Sequence, residues 1–211
     1  MVKEFDNFIL KSTNNLSYFN ELASYIEKNE INIQNFFEIK NLTKKYVIQI
    51  LPRNDFNNVL NALNINIKDY IRGNTNYSKR EIDILELEDQ RKTIAHKNAN
   101  LDEMEKMIIH EIVHAYNNEF NYPKKETLWF REGVATNLSK QDYKIVDLKQ
   151  CEFDKLVNDF NNYSNSYSYS YTIVNYLLRN YEHEKILDLI RDDYKLIKES
   201  NKIFYEVRNN Q

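Results

Sequence analysis

Two histidines four positions apart, with a glutamate directly after the first, lie in the run MIIHEIVHAY (Met107–Tyr116), whose other members are nearly all apolar. On a helix, positions i and i+4 stand one above the other on one face, so His110 and His114 aim their imidazoles at one spot. Glu111 stands beside them on the neighbouring stripe. Two neutral imidazoles and a carboxylate are costly in a buried helix unless a partner satisfies them. A zinc ion does so: the histidines ligate it, and the carboxylate takes a proton from the water that the ion activates. The competing reading is a core helix whose histidines hydrogen-bond to their neighbours; the helical context favours the metal.

A second segment, TLWFREGVATNL (Thr127–Leu138), adds a third donor. Leu128, Glu132, Ala135 and Leu138 recur at helical spacing, which puts Glu132 on the apolar face, where an acid needs a cation or a donor. Pairing with Arg131 or Lys125 at the surface is the alternative. Gly133 follows directly and is one of only two glycines in the chain. Glycine inside a helix costs about 1 kcal/mol relative to alanine, so its use here predicts a close approach by another backbone, expected to be the helix of His110 and His114. Glu132 lies eighteen positions after His114, enough for a helix end, a loop through Asn121-Tyr122-Pro123 and a returning helix.

HEIVHAY followed by WFREGVA resembles the gluzincin zinc metallopeptidases, and its W-x-x-E-G-x-A form is similar to the small bacterial members of that superfamily. The resemblance is specific over residues 107–138 and loose over about 40–190. It implies His110, His114 and Glu132 as zinc ligands and Glu111 as general base. Thermolysin-like members carry an aspartate four residues after the glutamate ligand to orient a histidine; here that position is Thr136, so the orienting group must come from elsewhere, such as a backbone carbonyl. Related peptidases also carry a tyrosine or histidine, beyond the glutamate helix, that donates to the oxyanion. The resemblance places that role on Tyr167, with Tyr169 and Tyr171 as rivals and His183 or Arg131 next in line.

Around these residues the chain reads as mixed α/β first and all-helical second. This is an α+β order, and the resemblance makes it zincin-like, with the motif helix at the junction. We expect a single metallopeptidase-like domain, with an α/β half over 1–99 and a helical half over 100–211. Leu16–Lys28 is an amphipathic helix, and Ile33–Phe37 reads as a second, short one. Lys45–Leu51 and Arg80–Leu87 read as strands, Asp55–Leu63 as a helix. Asn100 and Glu103 form a capping box for the motif helix. The stretch Gly73–Leu87 supplies either an edge strand on which an extended peptide adds by backbone pairing or an ordinary hairpin. Tyr163–Tyr171 (YSNSYSYSY) reads as solvated loop, followed by helices over Tyr171–Asn180, Lys185–Arg191 and Tyr194–Val207; Phe153–Phe160 is a further one.

Bulk properties narrow the partners. A net charge of −3 gives no basic footprint for nucleic acid or an anionic membrane surface. One cysteine, Cys151, excludes an intrachain disulfide and fits a reducing compartment. No apolar run is long enough for a secretory signal or a membrane span, so the expected location is cytoplasmic. His96 and His183 lack a partner at ligand spacing and read as surface histidines. The expected function is zinc-dependent hydrolysis of peptide bonds in a peptide or protein substrate, and the small size favours an internal bond. A non-catalytic binding module that keeps the zincin fold is the alternative, and the intact Glu111 argues against it. The oligomeric state has no signature in the sequence.

Overall fold

The computed structural model describes residues 1–210 and has an α+β architecture: a five-stranded mixed sheet in the N-terminal half and a mostly helical C-terminal half. It divides into two compact units, Met1–Tyr116 and the chain from Asn117 onward.

In the first unit the strands are β1 (Val2–Glu4), β2 (Phe8–Ser12), β3 (Tyr46–Leu51), β4 (Gly73–Asn76) and β5 (Glu81–Leu85), in the order β1-β2-β3-β5-β4. The central three are parallel, and each edge is closed by an antiparallel partner. Parallel strands need a crossover, and α1 (Phe19–Phe37) supplies the one between β2 and β3. Phe8, Leu10, Tyr46, Ile48, Ile50, Ile82 and Ile84, buried at alternate positions, form one apolar face of the sheet. On the other face Leu51 and Leu85 pack with Phe56 and Leu60 of α2 (Arg53–Ala62). A short α3 (Leu87–Arg91) precedes the motif helix α4 (Leu101–Asn117).

Three details depart from the sequence reading. The first fifteen residues contain two strands where none was expected: β1 is exposed along its whole length and so carries no apolar alternation. The expected helices over Leu16–Lys28 and Ile33–Phe37 are one continuous α1. The polar stretch between them does not break it, because buried Glu30 is satisfied by Asn7 Nδ2 at 2.6 Å, the Tyr116 hydroxyl at 3.0 Å and Gln34 Nε2 at 3.2 Å. The capping box closes on one side only. Asn100 Oδ1 accepts from the Glu103 amide at 2.9 Å, but the Glu103 carboxylate is turned to Arg72 at 3.1 Å.

The second unit contains α5 (Leu128–Leu138), α6 (Phe153–Asn158), α7 (Ser166–Asn180), α8 (His183–Arg191) and α9 (Asp193–Asn209). Its core holds the fully buried Trp129, set edge-on to Phe153, which in turn stacks on Phe204 at 4.5 Å. Helix α7 begins within the Tyr/Ser stretch expected to be loop. Ser166, Tyr169, Ser170, Ile173, Val174 and Leu177 are buried at helical intervals, so the low-complexity text conceals a packing face made partly of serines. Among the described residues no helix is long and apolar enough to cross a membrane.

Candidate metal centre

Helix α4 carries His110 and His114 on one stripe, as the spacing requires, and both are buried. Their Nε2 atoms stand 3.1 Å apart, and their rings meet nearly edge to face at 82°. Glu132, on α5, is also buried. One ligand atom from each of His110, His114 and Glu132 lies within 4.8 Å of the other two.

This donor set fits zinc. With metal–nitrogen bonds of about 2.0–2.1 Å, two ligands of a tetrahedral ion sit roughly 3.3 Å apart, close to the 3.1 Å between the imidazoles. Two imidazole nitrogens and one carboxylate oxygen make three donors, one fewer than a tetrahedral ion takes.

Glu111 belongs to a different set of contacts. Its Oε2 accepts a 2.6 Å hydrogen bond from the Thr75 hydroxyl on β4, and the residue is half-buried. A methyl group placed on Gly73, two residues earlier on the same strand, would lie 3.0 Å from Glu111 Oε1. Neither Thr75 nor Gly73 is singled out as a site residue by the sequence. The available signal was glycine scarcity: with two glycines in the chain, each has a specific reason.

A close approach at Gly133 is present, and α7 makes it: a Cβ there would lie 2.5 Å from Val174 Cγ2 and 2.6 Å from the Ser170 carbonyl oxygen. The Asn137 amide extends the same contact, donating to Tyr171 O at 3.1 Å and accepting from Asn175 at 2.9 Å. Thr136 donates to the carbonyls of Glu132 and Gly133 at 2.8 and 3.0 Å, which turns its hydroxyl back onto its own helix. Arg131 forms a buried ion pair with Asp193 at 3.1 Å.

Tyr167 lies in the first turn of α7 and is 38 % exposed, its ring stacked on Tyr143 and edge-on to Phe160. Of its rivals, Tyr169 is buried against Tyr163, and Tyr171 tilts on Tyr143. His183 is exposed at the start of α8. His96 contacts the Tyr70 carbonyl at 3.1 Å, and partial burial holds its pKa below the usual histidine range. Cys151 is buried, and burial pushes its thiol up to about 12, which leaves it unreactive as a nucleophile.

No protein-family model matches this sequence, and no curated protein matches it.

Proposed function

We propose that this chain is a gluzincin-type zinc metallopeptidase that hydrolyses peptide bonds. The observation that carries the reading is the buried convergence of His110, His114 and Glu132, next in sequence to a glutamate that stays out of that donor set. A zinc ion held by these three would supply Lewis-acid activation, bringing the pKa of water towards ~7. Glu111 then accepts the proton of the attacking water and returns it to the departing amine nitrogen. Tyr167 is assigned the hydroxyl that donates to the developing oxyanion. Support for it is positional: it precedes Ser170 by three residues and so shares the stripe of α7 that packs at Gly133, the residue next to Glu132.

Metal analysis of the purified protein, combined with a Glu111→Gln variant, tests the reading. The expected result is zinc in both proteins, with cleavage of a fluorescence-quenched random peptide pool by the wild type alone. Loss of the proton acceptor is expected to lower kcat by about three or more orders of magnitude. Equal turnover by the two proteins, or absence of bound zinc, would refute it.

A further inference from the structure

We propose that Thr75 and Gly73, on the edge strand β4, are positioning residues that hold the Glu111 carboxylate in a single working orientation. The inference rests on the peptidase reading for its kinetic consequence and on geometry for its substance. Strand β4 lies at the sheet edge and pairs with β5, in a register that sets Gly73 opposite Ile84 and Thr75 opposite Ile82. Side chains of paired residues share a face of the sheet, so Gly73 and Thr75 face the same way as buried Ile82 and Ile84. That is the face on which Glu111 of α4 is met.

The two residues act on different oxygens. Thr75 donates to Oε2 at 2.6 Å, the short distance of a hydrogen bond to a charged acceptor. A threonine has restricted χ1 freedom, so the hydroxyl is itself held in place. With Oε2 engaged, Oε1 is the oxygen left to take the proton of the attacking water. Gly73 keeps the space beside it open: a Cβ there would lie 3.0 Å from Oε1 and 3.4 Å from Glu111 Cγ. Backbone conformation does not require this glycine, since its φ is not positive. Glycine inside a strand weakens it and marks close approach by another group; here the group is a carboxylate. A glutamate has three rotatable bonds, and a general base misplaced by about 1 Å loses on the order of 100-fold in rate.

The test uses two substitutions that separate the hydroxyl from the strand. Thr75→Val keeps the β-branched shape and removes the donor, whereas Thr75→Ser keeps the donor and loses the β-branch. On the zinc-loaded full chain with the same peptide pool, Thr75→Val is expected to lower kcat about 10- to 100-fold with KM nearly unchanged, and Thr75→Ser to restore most of it. Thermal stability should rank the other way, with valine at or above wild type and serine below. Gly73→Ala should fold normally and lower kcat as well. Crystal structures of the variants give a readout independent of turnover: Glu111 should leave its wild-type position in Thr75→Val and Gly73→Ala and keep it in Thr75→Ser. Activity that follows stability, or a Glu111 carboxylate unmoved in Thr75→Val, overturns the proposal. A wild type that binds zinc but cleaves nothing overturns the peptidase reading instead, and the crystal structures still decide the positioning role.

Discussion

His110 and His114 face each other through their Nε2 atoms at 3.1 Å, with the rings nearly perpendicular. Two chemistries share that distance. A pair of neutral imidazoles can make one N–H···N bond, or both nitrogens can direct lone pairs at a common cation. The second also uses the buried Glu132 carboxylate, which has a ligand atom within 4.8 Å of one on each histidine.

Chelation separates the two. A metal held by these three groups would bind only the folded state, so its removal would lower Tm, by on the order of 10 °C if binding is saturated a thousandfold above Kd. His114→Ala and Glu132→Ala should each lose bound zinc and show a Tm insensitive to chelator. A hydrogen-bonded histidine pair would show no bound metal and no chelator effect in the wild type. Calorimetry with and without a chelator, alongside metal analysis, makes the measurement.

Gly133→Ala tests the packing of the glutamate helix. Alanine is the better helix former by about 1 kcal/mol, yet its Cβ would enter the space of Val174 Cγ2 and the Ser170 carbonyl. A backbone carbonyl in mid-helix cannot yield as a flexible side chain does. Overpacking should win, with a net destabilisation of about 1–3 kcal/mol in urea denaturation. Adding Val174→Ala removes the Cγ2 contact but keeps the Ser170 carbonyl and the Cβ of residue 174, at 3.0 Å, so it should recover only part of the loss. A stabilised Gly133→Ala would show that α5 and α7 do not pack this closely.

The grouping of His110, His114 and Glu132 was legible because i, i+4 spacing on an apolar helix has one geometric meaning, and an acid on an apolar face needs a partner. The sequence carried α4 and the strands β3 and β5 because their apolar residues recur at the period of a helix or a strand. What it did not carry depends on contacts between distant segments. Leu16–Lys28 and Ile33–Phe37 read as two helices until Glu30 between them is seen bonded to Asn7 and Tyr116. The serines of α7 read as solvated until they are seen buried. Thr75 is an ordinary strand residue until β4 is placed beside Glu111. Gly133 was legible as a close approach, but no local pattern states which helix approaches.

Asp83 on β5 gives the sheet a pH dependence. It is fully buried; Gln49 Nε2 donates to Oδ1 at 3.2 Å, and the Asn74 side chain on the paired strand also lowers its pKa. Burial, with the negative charge of Glu81 and a smaller contribution from Glu111, pushes its pKa up from 3.8 to about 6. Between those values the folded chain keeps a proton that the unfolded chain has released. Stability from this group is therefore fully present below about pH 4, falls as pH rises, and is lost above about pH 6. Asp83→Asn retains an acceptor for Gln49 and removes the charge. It should abolish this slope and stabilise the protein at pH 7 by on the order of 2 kcal/mol. Urea midpoints across pH 4–7 should decline for the wild type relative to the variant; parallel curves would place Asp83 in a more polar setting than its burial indicates.

The oxyanion role assigned to Tyr167 makes a separable demand. Its ring already has partners: Tyr143 lies 6.3 Å away at an interplanar angle of 14°, and Phe160 meets it at 5.0 Å. Those contacts belong to the ring and survive in Tyr167→Phe, so stability and zinc content should hold while only the hydroxyl is lost. Loss of one oxyanion donor typically costs ~10²–10³ in kcat with little change in substrate binding. The control is Tyr171→Phe, which alters the other tyrosine that meets Tyr143. A large kcat loss in Tyr167→Phe alone supports the assignment. The same loss in Tyr171→Phe alone transfers the role by one helical turn, and full activity in both variants leaves Tyr169 as the remaining rival on this helix.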